Sequence, residues 1–329
     1  MKIIATTLAI VVASTTCAFA QQQCSPLIKT MTCLPTLIPP TIDANLSEWK
    51  DVTRMDTTMY QIGGFTPYLD GNPGFKCSYD DTKIYFAMEI PGDYSFDATN
   101  NHKCAAIGTM FKIGNDATFV DMGGCPDAAD GCSAGIPASC DNYIVDIGAH
   151  WELRTTTRRV KYLLNVTGGT GDDLIANKDD EYGVSPYCRF DDKDGILGGN
   201  EWEGAWDHTN PIQGQPGKYI FELSRLLTTK SSRTDIQLAA GGTYKFGVAY
   251  WDPFQSISGW SDSGHYLTGC ASEWIDLNLA TKVPTQIPTK VPTKAKITKV
   301  PTKAKITKVP TKAKITKVPT KIKTKAPVK

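Results

Sequence analysis

The chain has 329 residues, 41% of them hydrophobic, and a formal charge of +1, which is long enough for a large domain with a substantial core. No stretch reaches about 18 consecutive apolar residues, so no transmembrane helix is expected. The near-zero charge hides a division: residues 282–329 carry fifteen lysines and no acid, whereas residues 21–280 hold 19 basic and 34 acidic residues, a formal charge of −15.

At the N-terminus, Met1-Lys2, the apolar run 3–12 and the small-residue end Cys17-Ala18-Phe19-Ala20 form the three parts of a secretory signal. Cleavage after Ala20 predicts an exported protein, extracellular or in a cell wall. Nine cysteines then remain, at 24, 33, 77, 104, 125, 132, 140, 188 and 270. In an oxidising compartment they can form up to four disulfides with one thiol left over, and spacing does not fix the connectivity. A zinc site at Cys125, Cys132 and Cys140 is disfavoured, because the gaps of six and seven residues exceed those of short zinc knuckles. C-x-x-C-H, the signature of covalent haem attachment, is absent. Two N-x-S/T sequons, at Asn45 and Asn165, are compatible with surface glycosylation.

The segment 41–50, TIDANLSEWK, reads as a strand end followed by a turn and a helical turn capped by Asn45 or Ser47. Alternating apolar and polar residues predict strands over 83–90, 109–113, 143–147, 160–166 and 219–223. Glycine pairs and Pro-Gly turns at 63–64, 91–92, 123–124, 168–169, 216–217 and 241–242 punctuate them. Helical patterning is confined to short turns at 46–52 and 223–227. Many short strands with regular turn signals predict an all-β fold, an antiparallel β-sandwich, over residues 21–280.

Within 172–203, Asp192, Asp194, Gly195, Leu197 and Glu201 fall at the spacing of an EF-hand loop, but Phe190 stands at its first position. That loss of a carboxylate, and the lack of flanking helices, argue against calcium there. Residues 244–279 hold two alternating runs. Tyr244, Phe246, Val248 and Tyr250 share one face of the first run, and Ile275, Leu277 and Leu279 share one face of the second. A loop rich in Gly, Ser and Trp lies between them and carries one histidine, His265. It is the candidate site.

From Val291 the repeat VPTKAKITK begins, recurs at Val300 and Val309, and degenerates from Val318. A proline every nine residues and mutually repelling lysines predict an extended, disordered tail over 281–329. It is read either as a spacer or as a tether to an anionic polymer or cell-wall surface. Nucleic acid is not an expected partner, since the tail lacks aromatic stacking residues and the leader directs export.

Several of these segments resemble a known family. The 41–50 segment is similar to the I-D-G-x-L-x-E-W opening shared by family 9 carbohydrate-binding modules and the ethylbenzene dehydrogenase haem-binding subunit family, also called the cytochrome c-552/DMSO reductase-like haem-binding domain. Residues 119–124, FVDMGG, resemble that family's F-x-x-M-G turn. Residues 145–151, VDIGAHW, resemble its V-x-I-W-H-W strand with one residue inserted and Gly148 in place of a Trp, and 217–227, GKYIFELSRLL, its G-x-W-x-V-E-x-x-R-x-L segment. The resemblance spans about residues 38–280. It implies a DOMON-like sandwich that binds haem b non-covalently, with Met122 and His265 as axial ligands and Trp151 beside them. A redox partner protein would follow, but no motif identifies one.

The residue chemistry is compatible with that implication. A b-type haem needs an apolar slot, expected between the sheets, with a thioether and an imidazole at its rim. Gly264 and Ser263 beside His265, and Gly123-Gly124 beside Met122, leave room for close approach of a ligand. Met110, on a strand face with Gly108 and Lys112, is the substitute thioether for Met122; Met88 reads as core. His150 reads as a packed strand residue, and His102 and His208 are expected at the surface. No catalytic motif such as G-x-S-x-G or H-E-x-x-H occurs, so binding without turnover is expected. The alternative reading is a carbohydrate-binding module, with Trp251-Asp252 and Trp260-Ser261-Asp262 as sugar platforms.

Overall fold

The computed structural model describes residues 30–63, 66–97, 103–152, 162–163, 180–192, 202–256, 264–269 and 273–281. The leader, His102, the Asn165 sequon, Trp260 to Asp262, most of the acidic stretch and the lysine tail lie outside these residues.

Alternating sequence becomes strand almost throughout. In chain order the strands are β1 (Thr30–Pro35), β2 (Met55–Asp56), β3 (Met59–Gln61), β4 (Gly74–Tyr79), β5 (Lys83–Asp93), β6 (Ala106–Lys112), β7 (Val145–Glu152) and β8 (Tyr162–Leu163). They continue as β9 (Asp180–Ser185), β10 (Cys188–Asp191), β11 (Glu203–His208), β12 (Pro216–Leu226), β13 (Thr243–Trp251), β14 (His265–Thr268) and β15 (Ile275–Leu279). One sheet runs β10-β9-β7-β6-β13-β15-β1, and the other β1-β4-β5-β12-β11-β8. β14 lies beside the C-terminal half of β13, with β3 beyond it.

The fold is an all-β sandwich, antiparallel apart from β1, which runs parallel to its neighbours in both sheets. Thr30–Cys33 pair with β15 and Leu34–Pro35 with β4. This corner strand alternates over only the four residues Thr30 to Cys33, and the Cys33–Cys77 disulfide fastens it to β4.

The core follows from period-two alternation. On β5, Ile84, Phe86, Met88 and Ile90 face inward; on β13, Phe246, Val248 and Tyr250 do so; on β15, Ile275, Leu277 and Leu279. Phe86 and Phe246 stack across the sheets, 5.2 Å apart at 9°, and burying each ring is worth about 1.5–3 kcal/mol. Arg225 and Asp146 are both almost fully buried and form an ion pair of 2.5 Å that ties β12 to β7. The guanidinium also sits over the rings of Phe111 and Trp202, at 5.7 and 5.4 Å.

The other faces of β5 and β11, with Tyr85, Ala87 and Ala205, are covered by Ile42, Ala44 and Trp49. The cover is locked by the buried Glu222 of β12. Its carboxylate accepts from Trp49 Nε1–H (2.6 Å), from the Asp43 N–H (2.9 Å) and from the Ala44 N–H. Burial pushes the Glu222 carboxyl up to about 7, against these donors, which favour its charged form. The 41–50 and 217–227 motifs are therefore two halves of one structural lock. Leu46–Trp49 forms the expected short turn, a 3-10 helix capped by Asn45.

Some expectations are corrected. Residues 223–227 are not a helical turn: Leu223 to Leu226 end β12, where pairing with β5 overrides the local spacing of the leucines. His208 is 1% exposed rather than at the surface. Its Nε2 lies 3.1 Å from the Gly92 carbonyl, and its ring packs on Tyr94 and Tyr219. Gly148, which replaces a tryptophan of the resembled family, has a physical reason: a β-carbon there would lie 2.2 Å from the indole of Trp202, which fills that space.

Candidate functional site

Among the described residues, the space between the sheets, where a slot is expected, is lined by packed core side chains. The cleft that does open lies on the outer face of the first sheet and measures about 420 Å³, within the range of small-molecule pockets. The strand pattern explains it. Where Phe246, Val248 and Tyr250 point inward, Gly247, Ala249 and Trp251 point outward, and Gly108 and Met110 of β6 lie opposite them. Gly108 and Ala249 in this patch lower the floor of the cleft, while the space over Gly247 is taken by Phe119.

The walls come from five other places. His265 and Leu267 of β14 pair with Trp251 and Ala249, and Ile147 of β7 pairs with Met110. Phe119, Val120 and Met122 project from the loop after β6, Pro186 and Arg189 belong to the β9–β10 hairpin, and Ile62 follows β3.

The Phe119 wall needs Gly247, because a β-carbon there would lie 2.4 Å from the Phe119 ring. The loop itself closes through paired hydrogen bonds of 3.0 Å between Thr118 and Gly123. Met122, Gly123 and Gly124 all have positive φ, at 47, 110 and 78°. A methionine held in the left-handed region is uncommon and costs on the order of 1 kcal/mol. Gly123 cannot be larger, since a β-carbon would meet the Tyr143 carbonyl oxygen at 2.5 Å and the Val184 backbone at 2.6 Å. The F-V-D-M-G-G motif is the backbone solution that suspends Met122 over the sheet.

Two disulfides fix this end: Cys125–Cys140 closes the loop below the turn, and Cys132–Cys188 ties it to β10. All three cysteines weighed for zinc are thereby engaged, and among the described residues no group of three or more His, Cys, Asp or Glu is placed to hold a metal ion. Cys104 is buried, its Sγ 3.3 Å from the Asp97 backbone nitrogen. Among the described residues no helix is long and apolar enough to cross a membrane.

The structure brings Met110, Met122 and His265 into this one cleft. His265 does not sit in a loop as expected; it opens β14, and its ring stacks on Trp251 at 4.5 Å and 17°. Gly264 serves packing rather than ligand approach, because a β-carbon would lie 2.2 Å from Ser256 Oγ. Met88 is core, as expected. Trp151 and His150 lie on β7, Trp151 paired with Ile107, but their side chains are outside the described residues.

Of the sugar-platform pair, Trp251 lines the cleft. Asp252 does not offer its carboxylate there: it is buried, which raises its pKa, and it accepts from the Phe254 N–H and Gln255 Nε2–H, both at 2.8 Å. Of the EF-hand-like positions only Phe190 and Asp192 are described, and Asp192 is buried. Ile62, Pro186 and Arg189 went unnoticed in the sequence. Their place depends on strand pairings between distant segments, and no local spacing encodes it.

No protein-family model matches the chain, and no curated protein matches it. Among solved structures it is similar to a family 9 carbohydrate-binding module from Caldicellulosiruptor kristjanssonii. In complex with cellotriose, that module is 11% identical with a TM-score of 0.39, covering 79% of this chain and 97% of the module. In complex with glucose the TM-score is 0.36 at 11% identity, over 78% and 100% of the two chains. A candidate carbohydrate-binding protein from Bacteroides uniformis is 10% identical with a TM-score of 0.38, over 76% and 98%.

Proposed function

We propose that the chain is an exported, non-catalytic binding module that takes a flat ring ligand into the outer-face cleft, and that this ligand is haem b. One observation carries the reading. Met110 and Met122, from β6 and the loop after it, meet the distant His265 in a single cleft whose walls are otherwise mostly apolar. A thioether and an imidazole on an apolar wall are the donor set and surroundings a b-type haem uses. Met122 and His265 would hold the iron of such a group, with Met110 as the substitute thioether, and the group would supply one-electron transfer or simply be carried. Three disulfides among the described residues fit an oxidising compartment, which supports export to the cell exterior or wall. The lysine-rich tail would then attach the acidic domain to an anionic polymer.

A second reading, glycan binding, is favoured by Trp251, an aromatic side chain lining the cleft. The two separate in a paired assay on the purified protein: titration with haemin, and migration through gels containing cellulose or xylan fragments. Saturable growth of a sharp Soret band at one haem per chain is the expected result. Glycan retardation without haem uptake would transfer the cleft to the second reading.

A further inference from the structure

Arg189 is the one fully charged side chain among the described residues that line the cleft, and four features of the fold set it there. First, the register between β9 and β10 slips between Cys188 and Arg189, so that Cys188 faces Ser185 and Arg189 faces Gly183. Such bulges re-aim a side chain beside a site. Second, Gly183 leaves space for the arginine stem; a β-carbon there would lie 2.9 Å from Arg189 Cγ. Third, Glu181 Oε2 accepts from Arg189 Nη1 at 3.2 Å, and Glu181 is only 4% exposed. Fourth, the neighbouring Cys188 is pinned by its disulfide to Cys132.

A cation built into an apolar cleft of a strongly acidic domain is a recognition element for an anion. One guanidinium nitrogen is engaged by Glu181, and a guanidinium has five N–H donors in a fork that matches a carboxylate. We infer that Arg189 receives a carboxylate carried on the rim of the cleft's ring ligand, so that the site selects an apolar-bodied, carboxylate-bearing compound over its neutral counterpart. This rests on the reading of the cleft as a haem site, where the porphyrin propionates are the carboxylates concerned.

The probes are haemin and haemin dimethyl ester, whose rings are alike and whose carboxylates differ. The native protein should bind haemin about tenfold more tightly than the ester, the ratio expected for one charge-assisted hydrogen-bonded pair. Arg189→Gln should bring that ratio to about one, and Arg189→Lys should restore part of it, which separates a lost cation from a disturbed hairpin. Equal affinity of the native protein for both probes, or an unchanged ratio in Arg189→Gln, overturns the inference while leaving the haem reading standing. Uptake of neither probe overturns the haem reading and this inference with it.

Discussion

The two outer faces of the sandwich obey the same alternation and end differently. Over β5, β11 and β12 the segment with Ile42, Ala44 and Trp49 lies flat on the strands, and Glu222 gathers three N–H donors to hold it down. Over β6, β7, β13 and β14 the Phe119–Met122 turn only stands at one side, and the floor between the walls stays open. The strands lower the floor of one face at Gly108 and Ala249, and what crosses above each face decides which stays open. One cover is fixed by a buried carboxylate, whereas the rim of the other face is fixed by a glycine turn and two disulfides.

Breaking the closed face should have the largest effect. Glu222→Ala strands the Trp49, Asp43 and Ala44 donors; with each buried unsatisfied group worth about 1–3 kcal/mol, a loss of roughly 3–5 kcal/mol is expected in denaturant unfolding. The same residue sets a pH dependence. Its carboxyl rises from 4.5 to about 7 on folding, so between those values the folded state holds a proton that the unfolded state has released. The stability Glu222 contributes is therefore fully present below pH 4.5 and falls as pH rises through about 7. Denaturation midpoints followed across that window should decline in the native protein and decline less in Glu222→Gln, which carries no titrating group there.

The open face should respond in binding more than in stability. Gly247→Ala drives a methyl into the Phe119 ring and should cost about 1–3 kcal/mol as overpacking. Because it moves a wall of the cleft, it should also weaken haemin uptake, whereas Glu222→Gln, on the far face, should not. The smallest stability change is expected for Met122→Gly. Glycine tolerates the positive φ of 47°, which offsets its greater freedom in the unfolded chain, so the melting free energy should stay within about 1 kcal/mol of native. Its thioether is gone, however, and that variant should separate ligation from folding.

Much of the frame could be read from alternation alone. The shared faces of β13 and β15 follow from the sequence residue by residue, β5 follows as an alternating strand, and Leu46–Trp49 falls within the short helical turn expected over 46–52. The family-like motifs proved to be mostly cross-links: Trp49 to Glu222, and Arg225 to Asp146. What alternation cannot tell is which outward face is covered. The outward Gly108 and Ala249 are the sign that a floor is lowered, and they read just as well as weak strand positions. His265 reads as a loop residue in the sequence because β14 is only four residues long and its partners lie elsewhere in the chain. His208 looked like a surface residue beside Thr209-Asn210-Pro211, yet Tyr94 and Tyr219 close over it.

The most direct test of the outer-face cleft as the haem site is the absorption spectrum of the reduced protein after reconstitution with haemin, compared with Met122→Ala and His265→Ala. The native protein should give the sharp α-band of low-spin, six-coordinate iron, and each variant should lose it toward a high-spin spectrum. A native spectrum without that band, or one that persists unchanged in both variants, would contradict the assignment of the cleft.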